Sequence, residues 1–148
     1  MPRVDTAELY NALRAAIVAD ADIAAAMAGG TVMVFENEPD RDDIPIPYMT
    51  WVVNEDDDRI EGVAHKTRIQ MAIFGPTVDK VREIAGILLD KFQIPKRLPG
   101  GIASTNYRLT VLIKVHSNTI PGIVRQKPGG VAMRMHSIEF DGRVRRET

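Results

Sequence analysis

YMTWVVNEDDDRIEGVAHKTRIQMAIFGPTVDKVREIAGILLDKF, residues 48–92, runs through two strand patterns and one helix pattern, and its reading decides the fold. In residues 48–54, Tyr48 and Val52 alternate with Met49, Trp51 and Val53, so both faces are apolar, as in a strand inside a sheet. EDDDRIEG, residues 55–62, is a polar turn. Residues 63–74 alternate strictly, Thr67, Ile69, Met71 and Ile73 against Lys66, Arg68 and Gln70, which predicts a half-buried strand. Two long strands around a short polar turn make an antiparallel hairpin. Gly75-Pro76-Thr77 then breaks the strand and opens a helix over 77–92. Its apolar stripe is Val78, Val81, Ile84, Ala85, Leu88, Leu89 and Phe92.

Upstream, Leu9, Leu13, Ile17, Ala24 and Met27 recur at helical spacing. Asp5 can cap this helix with Glu8 reaching back, and Gly29-Gly30 ends it. A short strand, Thr31 to Phe35, leads into ENEPDRDDIPIP, residues 36–47, where prolines and five carboxylates predict a solvated loop. Downstream, YRLTVLIKVHS (107–117) reads as a strand with Tyr107, Leu109, Val111, Ile113 and Val115 inward. Arg108, Lys114 and His116 point outward. NTIPGIVRQKPGG (118–130) connects it to a last strand from about 131 to 140. The order α-β-β-β-α-β-β predicts an α+β fold, two helices packed on one face of a mainly antiparallel sheet. One domain covers 1–142, and 143–148 (RVRRET) is a basic tail.

Size and composition agree with one globular domain: 148 residues, 45% hydrophobic and 26% charged. The absence of cysteine excludes a disulfide scaffold and cysteine-ligated metal. No apolar run approaches the roughly 20 residues of a membrane span, and the charged N-terminus lacks a secretory core, so the expectation is a soluble, intracellular protein with no membrane partner. Net charge is −1, yet its distribution is uneven. Residues 1–75 hold 6 basic and 14 acidic side chains, a balance of −8. Residues 76–148 hold 13 basic and 6 acidic, a balance of +7. If the fold keeps the halves apart, the molecule is electrostatically two-faced and suited to head-to-tail contact with copies of itself. If the strands intermix, the asymmetry vanishes.

Few residues offer chemistry. His65, His116 and His136 have no metal-ligand spacing, although His116 and His136 lie on neighbouring predicted strands and can face each other. Asp56, Asp57 and Asp58 are consecutive aspartates in a turn that also holds Glu61, rather than an alternating calcium loop. Ser104, Ser117 and Ser137 sit in no nucleophile elbow, and the Gly-Gly pairs open no phosphate loop. Arg125, Lys127, Arg134, Arg143, Arg145 and Arg146 are either a solubilising surface or contacts to a phosphate backbone without sequence reading. No catalytic constellation, cofactor site or metal site emerges.

From about Glu8 to the final strand the chain resembles the tail terminator family of long-tailed bacteriophages, also described as tail-completion or head–tail joining proteins. The resemblance lies in LYNALRAAIVADADIAAAMAGG, the acidic loop reaching IPIPYMTWVV, the charged strand HKTRIQMAIFG, the helix VDKVREIAGILLDKF and two further strands. It implies a non-enzymatic virion protein whose protomers form a hexameric ring. That ring caps the tail tube protein, joins the tail to a neck or head-completion protein, and lets double-stranded DNA pass through its lumen. The expected location is the virion, at the head end of the tail, after assembly in the host cytoplasm. Another small neck or tail-tube subunit, or a small α+β enzyme or ligand-binding domain, is the competing reading.

The sequence nominates surfaces for such a ring. Ile120, Ile123 and Val124 are apolar without an obvious core partner, so residues 118–130 are expected to be an arm ordered by a neighbouring chain. Asp56, Asp57 and Asp58 are further subunit-interface candidates, facing outward or toward an adjoining ring. Arg125, Lys127 and Arg134 are the candidates for lining the lumen, and their pairing with those carboxylates between subunits is the alternative arrangement.

Overall fold

The computed structural model describes residues 7–27, 34–36, 46–60, 64–123, 125–126 and 132–146. Two helices open the chain, α1 (Ala7–Val18) and α2 (Ala21–Ala26), where the sequence predicts one. The break falls at Asp20, whose carboxylate accepts from the backbone N–H groups of Asp22 and Ile23 and so starts a new helix. An aspartate inside a helix competes for backbone donors in this way. The redirected helix buries Ile23 and Ala26, while α1 buries Leu9, Leu13 and Ile17 along one stripe. The Glu8 carboxylate accepts the Asn106 N–H at 3.1 Å, and the expected cap residue Asp5 lies outside the described residues.

The hairpin is present with longer arms. β1 (Val34–Glu36) runs parallel to β2 (Tyr48–Ile60), and β2 pairs antiparallel with β3 (Ala64–Gly75). Much of the expected turn 55–62 is strand, because β2 accommodates the acidic run in a register irregularity between Glu55 and Arg59. Helix α3 (Val78–Lys91) comes next, capped by the Thr77 hydroxyl, which accepts from Lys80 N–H at 3.2 Å. It buries Val81, Ile84, Ala85 and Leu88. The rest is β4 (Ile102–Ala103), β5 (Tyr107–Thr119), β6 (Arg125–Gln126) and β7 (Ala132–Arg146). β4 and β6 are two-residue strands absent from the sequence reading.

The strand order is β1-β2-β3-β7-β5-β4, with β6 pairing β7. This is an α+β fold with a mainly antiparallel sheet. One apolar cluster joins the buried residues of all three helices to Met49 and Trp51 of β2, Ile69, Met71 and Ile73 of β3, and Ile138, Phe140 and Val144 of β7. The helices therefore cover one face. Tyr10 ties α1 to that face, with its ring edge-on to Trp51 and its hydroxyl 2.9 Å from Thr67 Oγ1. A smaller cluster of Tyr48, Phe74 and Met133 covers one end of the opposite face.

β5 departs from the expected alternation. It faces β7 with register shifts between Leu109 and Val111 and between Lys114 and His116. Each extra residue flips the phase of the strand beyond it. Tyr107 and Leu109 point inward as expected, but Leu112 takes the next core position, and Ile113 and Val115 are 49% and 53% exposed. Gly142 of β7 stands opposite Leu112, and a Cβ there would lie 2.9 Å from Thr67 Cγ2 and 3.3 Å from Val111 O. Gly101 has φ +72°, and an added Cβ would meet Leu109 O, so the β4 approach to β5 requires glycine.

Two substitutions separate the actual phase from the alternating one. Phe140→Ala, at the buried centre of the core, should cost about 3–5 kcal/mol in urea unfolding. Ile113→Thr should change the stability of the isolated chain by no more than about 0.5 kcal/mol, as expected for a surface position. A large loss for Ile113→Thr would contradict the bulged register.

Candidate functional site

The uncovered face of the sheet is assembled from alternate residues of β3, β7 and β5. Reading across the strands, Gln70 stands by Glu139 and His116, Arg68 by Asp141 and Ile113, Lys66 by Arg143 and Val111, and Ala64 by Arg145 and Arg108. Val111, Ile113, Val115, Lys66, Arg68, Asp141 and Arg143 line a shallow groove of about 290 Å³. Its floor is aliphatic and its rim charged. Arg68 Nε sits 3.1 Å from Glu139 and 3.5 Å from Asp141, so this part of the rim is internally paired. The next two rows set like charges opposite each other, Lys66 against Arg143 and Arg145 against Arg108. Like charges directly across strands are unfavourable by up to roughly 1 kcal/mol, and Arg108 donates to the Gly100 carbonyl.

The sheet answers the question of charge segregation in part. Glu55 to Asp58 lie on β2 at one side, and the basic rows lie on β3, β7 and the start of β5. Arg125 pairs through its backbone with Met133, next to Arg134, which stands opposite Gly75. These two arginine positions share one end of the sheet. Asp56, Asp57 and Asp58 are near the other end, roughly 30 Å away at about 3.4 Å per residue along β7. Lys127 and Val124 lie outside the described residues.

Of the segment 118–130, residues 118–123 and 125–126 are described, and several of them pair with their own chain. Thr119 still belongs to β5, Ile120 N–H donates to Met135 O at 3.0 Å, and β6 continues the pairing to β7. Ile120 is half-buried, and Ile123 is 57% exposed. Among the described nominated residues, Ile123 is the one displayed as an apolar surface side chain.

His116 and His136 do not meet, because the second bulge sets His116 opposite Glu139. His136 instead stands between two hydroxyls, with Ser117 Oγ 2.7 Å from Nε2 and Thr119 Oγ1 2.9 Å from Nδ1. Arg82 Nε donates to the same Thr119 Oγ1 at 3.0 Å. Sequence spacing hid this group, since only the β5 bulges bring Ser117 and Thr119 into reach. A serine beside a histidine suggests a nucleophile, but here the third partner is a hydroxyl where a triad has a carboxylate. Burial and the nearby Arg82 charge hold the His136 pKa below its ordinary value, so the imidazolium that acyl transfer requires is disfavoured. The group is a polar tie between β5, β7 and α3. Among the described residues no three His, Asp or Glu side chains converge on a metal-sized site, and no helix is long and apolar enough to cross a membrane.

No family model matches this chain, and no curated protein does. Among solved structures, a chain from the virion of a native gene transfer agent (GTA) particle superposes with a TM-score of 0.60 at 20% identity, covering 95% of this chain and 93% of that one. A second solved chain aligns at 16% identity with a TM-score of 0.49, too low to carry an argument. The first likeness is one of fold over nearly the whole length of both chains.

The His136 environment sets a pH dependence with a defined sign. Its folded pKa is depressed, so the unfolded chain binds more protons as pH drops through the ordinary imidazole range near 6.5. Stability is therefore full above that range and falls as pH drops toward the lower folded pKa. Urea midpoints measured from neutral to mildly acidic pH should show this loss, and His136→Gln should flatten it. An unchanged slope in the variant would assign the pH dependence elsewhere.

Proposed function

We propose that this chain is a structural subunit of a phage-like virion, and within it a tail terminator. In this reading six copies close a ring that caps the tail tube and joins it to the neck, and duplex DNA passes through the opening. The observation that carries the proposal is the fold likeness to a gene transfer agent virion chain over 95% of the length. The terminator role in particular rests on the sequence resemblance from Glu8 to the last strand.

The geometry is compatible with a ring part. A closed ring of identical copies needs two different, complementary surfaces on each subunit. The open sheet face supplies an aliphatic groove with cationic rows, and β2 carries a run of four acidic residues at the sheet's side. The separation of Arg125 and Arg134 from Asp56, Asp57 and Asp58 supports assigning them to different partners. Basic groups beside passing duplex avoid the like-charge barrier that carboxylates would raise within about 8–10 Å. We therefore assign Arg125, Lys127 and Arg134 to the lumen side.

Native mass spectrometry of the purified chain, alone and with isolated tail tubes, tests the proposal. The expected result is a hexameric ring, or a monomer that assembles as a ring on tube ends visible by negative-stain microscopy. Binding along the tube walls or growth into new tube would favour a tube subunit. A monomer that ignores tube ends would overturn the reading.

A further inference from the structure

We propose that the open sheet face over β3, β7 and β5 is a docking surface for an amphipathic helix of a second protein, one whose apolar stripe is flanked by acidic residues. The inference goes beyond the ring reading and does not depend on it. Ring closure needs complementary surfaces without fixing which chain lies in the groove. The starting point is the set of aliphatic side chains that the bulged β5 turns to solvent. Val111, Ile113 and Val115 share the lining of the groove of about 290 Å³, and the last two are 49% and 53% exposed. An exposed aliphatic strip with a polar rim marks a place of contact with another molecule.

The rim sets the sign of the partner. Arg68 lies between Glu139 and Asp141 and is balanced by them. Lys66 and Arg143 stand directly opposite each other on β3 and β7. Among the described residues, neither of these two side chains has an ion pair or a side-chain hydrogen bond. Two adjacent unpaired cations repel, and carboxylates set beside them replace that repulsion with attraction. The ligand therefore carries acidic groups at its margin and aliphatic groups over the floor.

The width of the groove selects a helix. Lys66, Arg143 and Val111 form one row across three strands, and Arg68, Asp141 and Ile113 form the next. From β3 to β5 the rows span two strand spacings, about 10 Å. A helix with its side chains is about 10–12 Å across and fills that width. A strand added at the β5 edge would lie about 14 Å from β3 and leave Lys66 untouched. A phosphate backbone would meet the cations but leave the aliphatic floor in water. The described helices of this chain do not fit either. α1 exposes Asn11, Arg14, Ala15 and Val18, which brings a cation where carboxylates are needed. α2 has six residues, and α3 exposes Asp79, Arg82, Glu83, Gly86 and Asp90 without an aliphatic stripe. A second protein is therefore the source, bound as an amphipathic helix lies in an apolar groove.

The probe is a capped synthetic peptide of about 18 residues, with leucines at helical spacing, glutamates flanking them and alanines elsewhere. A control peptide carries lysine for every glutamate. Methyl NMR of the full, unaltered chain should show shifts at Val111, Ile113 and Val115 when the acidic peptide is added, and circular dichroism should show added helix. The basic peptide should bind about tenfold more weakly or worse. Lys66→Glu with Arg143→Glu should reverse that order, and Ile113→Ser with Val115→Ser should weaken both peptides about tenfold. Urea unfolding checks that each variant folds, and the methyl footprint on the unaltered chain decides the matter where one does not. The proposal is overturned if about 1 mM acidic peptide leaves those methyls unshifted. It is equally overturned if the two peptides bind alike or the charge reversal changes nothing. The same methyl shifts produced by a short duplex DNA, or by raising the concentration of the chain alone, would give the groove to nucleic acid or to a second copy and sink the helix.

Discussion

The interaction on which the structure depends is the ladder between β3 and β7, unbroken from Ala64–Arg145 to Gly75–Arg134. It joins segments about 60 to 80 residues apart in the chain and seats both at the centre of the sheet. Because it contains no bulge, it fixes one phase for two strands at once. Ile69, Met71 and Ile73 therefore share a face with Ile138, Phe140 and Val144, and that face is the one the helices cover. Slipping this ladder by a single residue would turn all of these side chains to solvent. Such pairing cannot form early, since its loop-closure entropy must be met before the contacts reward it. Local elements such as the Thr77-capped α3 help by presenting a ready apolar stripe.

Against this regular ladder, the irregular one between β5 and β7 is where surface is made. Two bulges let β5 keep Leu109 and Leu112 in the core while Ile113 and Val115 turn outward. Gly142 permits the close passage of Thr67 and Val111 at the first of these bulges. An exposed aliphatic strip next to charged rows is costly in water for a lone chain, and natural sheets more often blunt such an edge.

The polar group at His136 illustrates how location limits chemistry. Ser117 and Thr119 satisfy the ring, and Arg82 donates to Thr119, so the group binds β5, β7 and α3 together, yet the positive charge beside the ring works against a proton-accepting role. Lys91 plays a comparable part at the helices, donating to Asp20 at 2.9 Å and also to Asp22. Burial alone would raise the Asp20 pKa, but the bonds from Lys91, Ile23 and Asp22 outweigh it and hold the carboxylate below its ordinary range. Both groups fasten elements to one another.

The sequence alone determined the parts whose signals are local. Strict alternation at 67–73 gave β3 and its inward face, the stripe from Val81 to Leu88 gave α3, and Leu9, Leu13 and Ile17 gave α1. From these the α+β class followed. What depended on partners far along the chain was decided only in the tertiary structure. Asp20 split a helix that composition would have left whole, and the acidic run 55–58 lies within β2 at a register irregularity between the pairs Glu55–Thr67 and Arg59–His65. The β5 bulges reversed the fate of Ile113 and Val115, and β7 pairs with Thr119, Arg125 and Gln126 of its own chain. A bulge is a mismatch between two strands, so no pattern within one strand can announce it. The candidate surface is built from such mismatches, which is why its residue types were visible in the sequence and its arrangement was not.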